Sequence, residues 1–463
     1  MSQQAEALKE KPVQSENKMG VMPIPKLVIT MSLPMMVSML VQALYNIVDS
    51  LFVARVNSYA FTALSLAFPL QSLMIAVGVG TAVGVTANIS RSLGEKKFTH
   101  ANNFAKNGLF LAVMSFLAFV IIGIFVTRPY FKLQTDTAKT IEYGVQYLSI
   151  ITIGSIGSFM QIMNERLLQS TGKTVLSMFS QALGALINLI LDPILIFGLG
   201  FFPRLEVTGA AVATIIGQTC AACFGFFLNI KFNKELNLNL KGFRPKKAYI
   251  LNIYKIGIPS IIMQSITSIM TYILNIILSS FGDLTDTLQS ILGAYFKLQS
   301  FIFMPVFGLN NGTVPIISYN FGAAKRKRVI QAIKVTTLFA TVIMLLGLAI
   351  MQLLPGAMLS LFDADAQMLE YGEPALRIIS LSFIFAGVGI AFTSVFQSLG
   401  KPLNSMIISI LRQLVIIVPT AYLLSKTGNP TMVWWSFPIA EVFSLILCCF
   451  MMAKTYKTII AKI

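Results

Sequence analysis

The sequence predicts an all-α integral membrane protein: twelve transmembrane helices in two parallel six-helix repeats, V-shaped around a central cavity. Three observations predict it. The 463-residue chain is 56% hydrophobic and only 11% charged, where a soluble protein carries about 25% charged residues. Its halves repeat at an offset of 228 residues. Gln71-Ser72 returns as Gln299-Ser300. Gly80, Gly84, Ser90 and Gly94 return as Gly308, Gly312, Ser318 and Gly322. Gln169, Gly172, Lys173 and Ser177 return as Gln397, Gly400, Lys401 and Ser405. Finally, the basic residues gather on one side of the predicted bundle.

Apolar stretches define helices near 27–56, 60–91, 101–128, 138–171, 174–200 and 206–231, then near 247–282, 285–320, 329–355, 366–400, 402–425 and 430–455. Each can cross a hydrocarbon core of about 30 Å, which takes roughly 20 helical residues. Pro34 matches Pro259 at an offset of 225. The second half has therefore gained three residues, placed in the loop at Phe281–Thr287. Residues 1–25 are polar and charged, without a cleavable signal, and are expected to form a mobile cytoplasmic tail. The lobes then run over 26–235 and 249–463, with an inter-lobe linker at 236–248.

The formal charge of +17 raises nucleic acid as a partner, but its distribution argues against that. Twenty-five of the 35 Lys and Arg fall on the N-terminal side of the predicted topology and six on the other, with Lys255, Lys297, Arg377 and Arg412 inside helices. The positive-inside rule then puts both termini in the cytoplasm and requires an even number of spans. Six spans per half make the repeats parallel, related by an axis along the membrane normal.

Several chemistries are excluded. Gly172-Lys173-Thr174 lacks the upstream glycine of a phosphate loop, since position 167 is Leu. Cys220, Cys223, Cys448 and Cys449 lie in helices, where packing is the expected role. His100 is the only histidine and sits beside a loop. There is no nucleophile triad and no His/Cys cluster, so neither an enzyme nor a cofactor is expected.

Charges at membrane depth are costly and point to function. Asp49 lies about 33 Å into the first helix and Asp192 about 27 Å into the fifth, at 1.5 Å per residue. Both belong to the outer half of the bilayer. Glu165 is only about 12 Å from the cytoplasmic turn at Lys173 and is expected to stand apart. Gln42, Asn46 and Asp49 share one helical face, Asn188 and Asp192 a second, and Gln161, Glu165 and Gln169 a third. Such stripes face a bundle interior or a wet cavity. Two readings stand: hydrogen-bonded helix contacts, or a site for ions and substrate, with Gln42, Asn46, Gln161 and Glu165 on the substrate side. In the second half Glu165 and Asp192 are replaced by Thr393 and Thr420, and Asp49 by Leu274 or Asn275, which confines a cation site to the N-terminal lobe. Lys297, Arg412 and Glu441 each lie about 15 Å deep. They form either a charge-paired packing knot or a gate.

These residues resemble the multidrug and toxic compound extrusion (MATE) family, in its bacterial DinF-like and MepA-like group. The resemblance covers essentially everything after residue 26. It rests on the duplicated unit and on local patterns: Pro34 followed by Tyr45-Asn46-Ile47-Val48-Asp49, Asn188-Leu189-Ile190-Leu191-Asp192-Pro193, Gly209-Ala210-Ala211-Val212-Ala213-Thr214, Gly308-Leu309-Asn310-Asn311-Gly312 and Tyr319-Asn320-Phe321-Gly322-Ala323. The resemblance implies antiport of organic cations against Na⁺ or H⁺, by a monomer in the bacterial cytoplasmic membrane. It implies a coupling site at Asp49, Asn188 and Asp192, joined by Thr214, with Na⁺ as a candidate metal there. It also marks Pro34 as the point where the first helix bends. Asn275 and Thr393 stand near the places where another branch of the family has second-half acids. The alternative within the same superfamily is a flippase for lipid-linked saccharide precursors, which needs a cationic cavity; Lys297, Arg377 and Arg412 are its candidates.

Overall fold

The computed structural model describes residues 16–463 except Phe201 and Asp363, and of Ser50, Ala54 and Ser58 the backbone only. Helices follow one another almost without interruption. The N-terminal lobe contains α1 (Ile24–Ala54), α2 (Ser58–Gly94), α3 (Phe98–Phe125), α4 (Ala138–Ile153 and Ile156–Ser170), α5 (Thr174–Phe197) and α6 (Glu206–Phe232). The C-terminal lobe contains α7 (Lys247–Leu278), α8 (Thr285–Gly322), α9 (Arg326–Leu353), α10 (Ala366–Ser380 and Phe383–Ser398), α11 (Pro402–Ile410 running through to Val418–Ser425) and α12 (Ser436–Thr458).

The local sequence explains where they start and stop. Asn57 caps α2 by accepting from the Ala60 N–H at 2.7 Å. Gly198, at φ 74°, ends α5 in the left-handed conformation. The repeated Gly-Lys turn joins α4 to α5 and α10 to α11, with Gly172 at φ 84° and Gly400 at φ 73°. The α1–α2 junction has three residues, whereas α7 passes into α8 through the six-residue turn Ser279–Leu284, broken at Gly282 (φ 59°, ψ −120°). The three extra residues thus lie where the shift in repeat offset put them.

Among the described residues, nine segments are long and apolar enough to cross a membrane unaided. One of these, Lys247–Gly322, has 76 residues and would measure about 114 Å as a single helix. The break at Gly282 makes it two spans. α4 and α10 are each bent, by 46° and 48°, at equivalent positions of the repeat. Counting each bent pair once gives twelve.

The repeats face each other across a pseudo-twofold axis, and glycine makes the contact. A Cβ on Gly94 would stand 2.0 Å from the Tyr319 carbonyl oxygen, and one on Gly322 would stand 2.2 Å from that of Arg91. Residues 91 and 319 are repeat equivalents, as are 94 and 322, so the contact is self-complementary. Gly80 meets Ile261 and Gly308 meets Met36 in the same reciprocal way. Ser90 and Ser318 hold matching positions within their own lobes, donating to the Ser170 and Ser398 carbonyls at 2.8 and 3.1 Å. These glycines lie in the half of the bundle nearer the basic face. Ser32 donates to the Leu309 carbonyl (3.1 Å) and Arg166 to Asn311 (2.9 Å) between the lobes there. Beyond this seam the lobes splay into a V.

One expectation needs correction. Residues 16–22, read as part of a mobile tail, are docked between the lobes. Asn17 caps a helical turn at Lys18–Val21, and Met19 is fully buried. The tail's polar composition hid a single buried methionine and a run of backbone acceptors. Pro34 sits inside an unbroken α1.

Gly94→Ala should separate α2 from α8 and destabilise the protein by about 1–3 kcal/mol, the usual cost of overpacking. Gly78→Ala is the control, because its Cβ would meet only the side chains of Ile162 and Phe159. Thermal unfolding in detergent should show a clear loss for the first only; equal losses would discount the seam.

Candidate functional site

The N-terminal lobe assembles its acids where α1, α5 and α6 converge. Asp192 is fully buried, Asp49 is 9% exposed, and Asn188 and Thr214 are buried beside them. α5 and α6 come together tightly because a Cβ on Gly184 would lie 2.8 Å from that of Ala221 and 3.1 Å from the Gly217 carbonyl. That crossing brings Thr214 to Asn188. In the amide orientation that satisfies both of its ends, Asn188 donates to Asp192 Oδ2 at 2.8 Å. It then accepts from the Thr214 backbone N–H at 3.0 Å and its hydroxyl at 3.2 Å.

The Asp49 and Asp192 carboxyls lie close enough to interact directly. Asp49 Oδ1 is buried without a partner among the described residues. Two carboxylates in contact away from water repel strongly unless a cation lies between them. A proton satisfies that requirement. So does Na⁺, a hard ion that takes oxygen ligands, and the oxygens of Asp49, Asp192 and Thr214 are of that kind. No cluster of three or more His, Cys, Asp or Glu suited to a resident metal occurs among the described residues.

Two tyrosines complete the site. Tyr45, one turn before Asp49, contacts Thr214. Tyr147 of α4 is buried near Asp49 and Tyr45 and meets Gln71 of α2. Sequence reasoning quoted Tyr45 only within a family pattern and missed Tyr147. The signal available for Tyr45 was its i, i+4 spacing to Asp49; nothing local distinguished Tyr147.

The other candidates fall into separate places. Gln42 accepts from Gln181 at 3.0 Å, which ties α1 to α5. Asn46 is exposed. Glu165 is buried and accepts from Gln161 at 2.9 Å, away from the aspartate pair. Its neighbour Arg166 turns to Gln169 and across to Asn311. In the C-terminal lobe Arg412 pairs with Glu441 at 3.3 Å. Lys297, expected with them, instead lies over the Phe362 ring, 5.6 Å from its centre. Equal depth along a helix does not fix which way a side chain faces, and Lys297 points to a different neighbour. α11 carries a π-helical turn at Leu411–Ile417, which includes Arg412.

Comparison with known proteins follows this geometry. The MatE family model matches twice, over residues 34–194 and 259–423, once in each repeat. The chain belongs to the MatE family. Among curated relatives of this MatE protein, the multidrug export protein MepA of Staphylococcus haemolyticus is 29% identical over 420 residues, covering 90% of this chain and 91% of that one. MepA of Staphylococcus aureus strain NCTC 8325 is 28% identical over 424 residues, with the same coverage. Among solved structures, the outward-facing conformation of a multidrug resistance MATE family transporter of the MOP superfamily superposes with a TM-score of 0.90. It is 24% identical and covers 97% of this chain and 99% of that one. A MOP superfamily transporter from Pyrococcus furiosus, described as having a binding pocket of reverse polarity, gives 0.89 at 23% identity, covering 96% and 99%. The MatE fold and its multi-pass membrane architecture are thereby established for this chain.

The charge pair in the C-terminal lobe generates its own prediction. Removing one partner of a buried ion pair typically costs about 3–5 kcal/mol, because the other charge is left uncompensated. Glu441→Gln should lower the unfolding temperature in detergent, and adding Arg412→Met should restore part of the loss. A purely additive double variant would mean that the two side chains act independently.

Proposed function

We propose that this MatE protein is a secondary multidrug efflux transporter. It exports cationic, amphipathic compounds in exchange for H⁺ or Na⁺ by alternating access. The observation that carries the reading is the burial of Asp49 and Asp192 beside each other, an arrangement that favours uptake of a cation in a site sheltered from water. Relatives that align along nine-tenths of the chain and bear the name multidrug export protein support the substrate class.

The chemistry is competition for one anionic site. With the cleft open on the face away from the basic side, H⁺ or Na⁺ enters between the two carboxyls. Asn188 holds Asp192 in position from one side, and Thr214 anchors Asn188 to α6. Filling the site cancels one of its two negative charges and lowers its affinity for a bound organic cation, which leaves outward. Reopening on the basic face releases the ion and restores the negative charge for the next substrate. By the positive-inside rule the basic face is cytoplasmic, so the pump works outward from a bacterial cytoplasmic membrane, as a monomer.

The flippase alternative needs a cationic cavity. Arg412 pairs with Glu441 and Lys297 lies over an aromatic ring, which weighs against these two bases joining Arg377 in a pyrophosphate site.

Asp49→Asn and Asp192→Asn should each abolish ion-driven efflux while leaving the protein folded. Each keeps the side-chain volume and removes the charge. Purified protein in liposomes, with imposed pH or Na⁺ gradients and ethidium as the probe, gives the measurement. Wild-type transport by either variant would remove the aspartate pair from the mechanism.

Glu165, buried nearer the basic face, is assigned the first contact with cationic substrates entering from the cytoplasm. Glu165→Gln should then weaken apparent affinity for cationic drugs by about tenfold or more, in line with about 1.5–3 kcal/mol for hydrogen bonds to a charged group, and leave neutral ones nearly unchanged. Equal loss for both classes would reassign it to packing.

A further inference from the structure

The segment preceding α1 crosses the seam between the lobes at the basic face, and it bonds to both. On one side, the Asn17 amide donates to the Thr171 carbonyl at 3.0 Å and to the Glu235 carboxylate at 2.8 and 2.6 Å. These partners lie at the α4–α5 turn and just after α6, both in the N-terminal lobe. On the other side, the Met19 carbonyl accepts from Asn320 at 2.9 Å and Arg328 at 3.0 Å. The Met22 carbonyl accepts from Arg328 at 2.7 Å, and the Gly20 carbonyl from Lys325 at 3.0 Å. Glu16 pairs with Lys325, which holds the Glu16 carboxyl below its ordinary range. Asn320, Lys325 and Arg328 all belong to the C-terminal lobe. Arg328 also donates to Asn320 Oδ1 at 2.9 Å, so the two donors are fixed relative to each other.

We propose that Asn17, Asn320 and Arg328 are gate residues of the transport cycle: they hold Glu16–Met22 as a strap across the cytoplasmic seam, and the strap must release before the lobes part on that side. This rests on the alternating-access reading. The geometry leaves little choice. The strap's bonds span both lobes over a few residues, with Met19 buried between them, so the lobes cannot separate beneath it without breaking one set or the other. Several of these bonds have a charged partner, the stronger class. The strap therefore favours the outward-open state and sets how often the cytoplasmic side opens.

The weak point of the strap can be changed without losing its helical cap. Asn17 has two duties: Oδ1 accepts from the Met19 N–H at 2.8 Å, and the amide nitrogen donates to Glu235 and to the Thr171 carbonyl. Asn17→Asp keeps the first and turns the second into a clash of two carboxylates. The test uses the full chain with its four cysteines replaced and Ser32→Cys introduced as a reporter. Ser32 is buried at the seam, where it donates to the Leu309 carbonyl. A membrane-impermeant maleimide is applied to inside-out vesicles. Asn17→Asp should raise the labelling rate about tenfold, the effect of losing a hydrogen bond to a charged group, and adding Glu235→Gln should reverse most of the rise. Arg328→Ala should raise it as well. Unchanged labelling in Asn17→Asp, or a rise that Glu235→Gln leaves untouched, overturns the proposal. Labelling reads the seam directly and needs no drug, so a failure of the drug-transport reading would be seen separately.

Discussion

Everything in this protein is arranged around the approach of α2 and α8 at Gly94 and Gly322. Two carbonyl groups occupy the space where side chains would stand, so the backbones touch directly. Such a contact has no intermediate setting. A helix pair packed without side chains either meets at full complementarity or parts altogether, because packed interfaces do not deform gradually. Closure at the basic face and opening at the other are then one geometric fact. The lobes are joined near one end, and the segment Glu16–Met22 lies across that joint.

The scaffold is symmetric but the chemistry is not. Gly184 and Ala213 of the first repeat correspond to Arg412 and Glu441 of the second. Where α5 and α6 cross closely enough for Thr214 to fix Asn188, α11 and α12 carry an ion pair, and a π-turn begins one residue before Arg412. The counterparts of Asn188 and Asp192 are Ile416 and Thr420. The N-terminal lobe thus has a tight cradle with a charged pair beside it, whereas the C-terminal lobe has spent its charges on each other. Each lobe carries its own solution to the cost of burying charge.

Much of this was legible in the sequence because hydrophobic runs and glycine spacing are local or periodic signals. The twelve helices, the repeat and the extra residues before α8 all follow from them. The separation of Glu165 from Asp49 and Asp192 followed from counting residues along helices, since rise per residue fixes depth. Depth does not fix azimuth. For that reason Lys297 was grouped with Arg412 and Glu441 but lies over Phe362, and Tyr147 went unnoticed although it completes the site. The strap was invisible for a different reason. Its bonds are made largely by backbone carbonyls, which every residue carries, so composition says nothing about them.

The linker between the lobes is docked as well. The Asn237 N–H donates to Asn102 at 2.7 Å, the Lys246 N–H donates to Asn107 at 3.1 Å, and the Phe243 ring lies 6.5 Å from that of Phe110. The segment that covalently joins the lobes is therefore bound along α3 up to the residue before α7 begins. Almost no free chain remains between them. In polymer terms the tether has a contour length close to zero, and the effective concentration of one lobe at the other is set by a pivot rather than by a coil. A joint of this kind leaves the two lobes almost no translational entropy to lose when they meet.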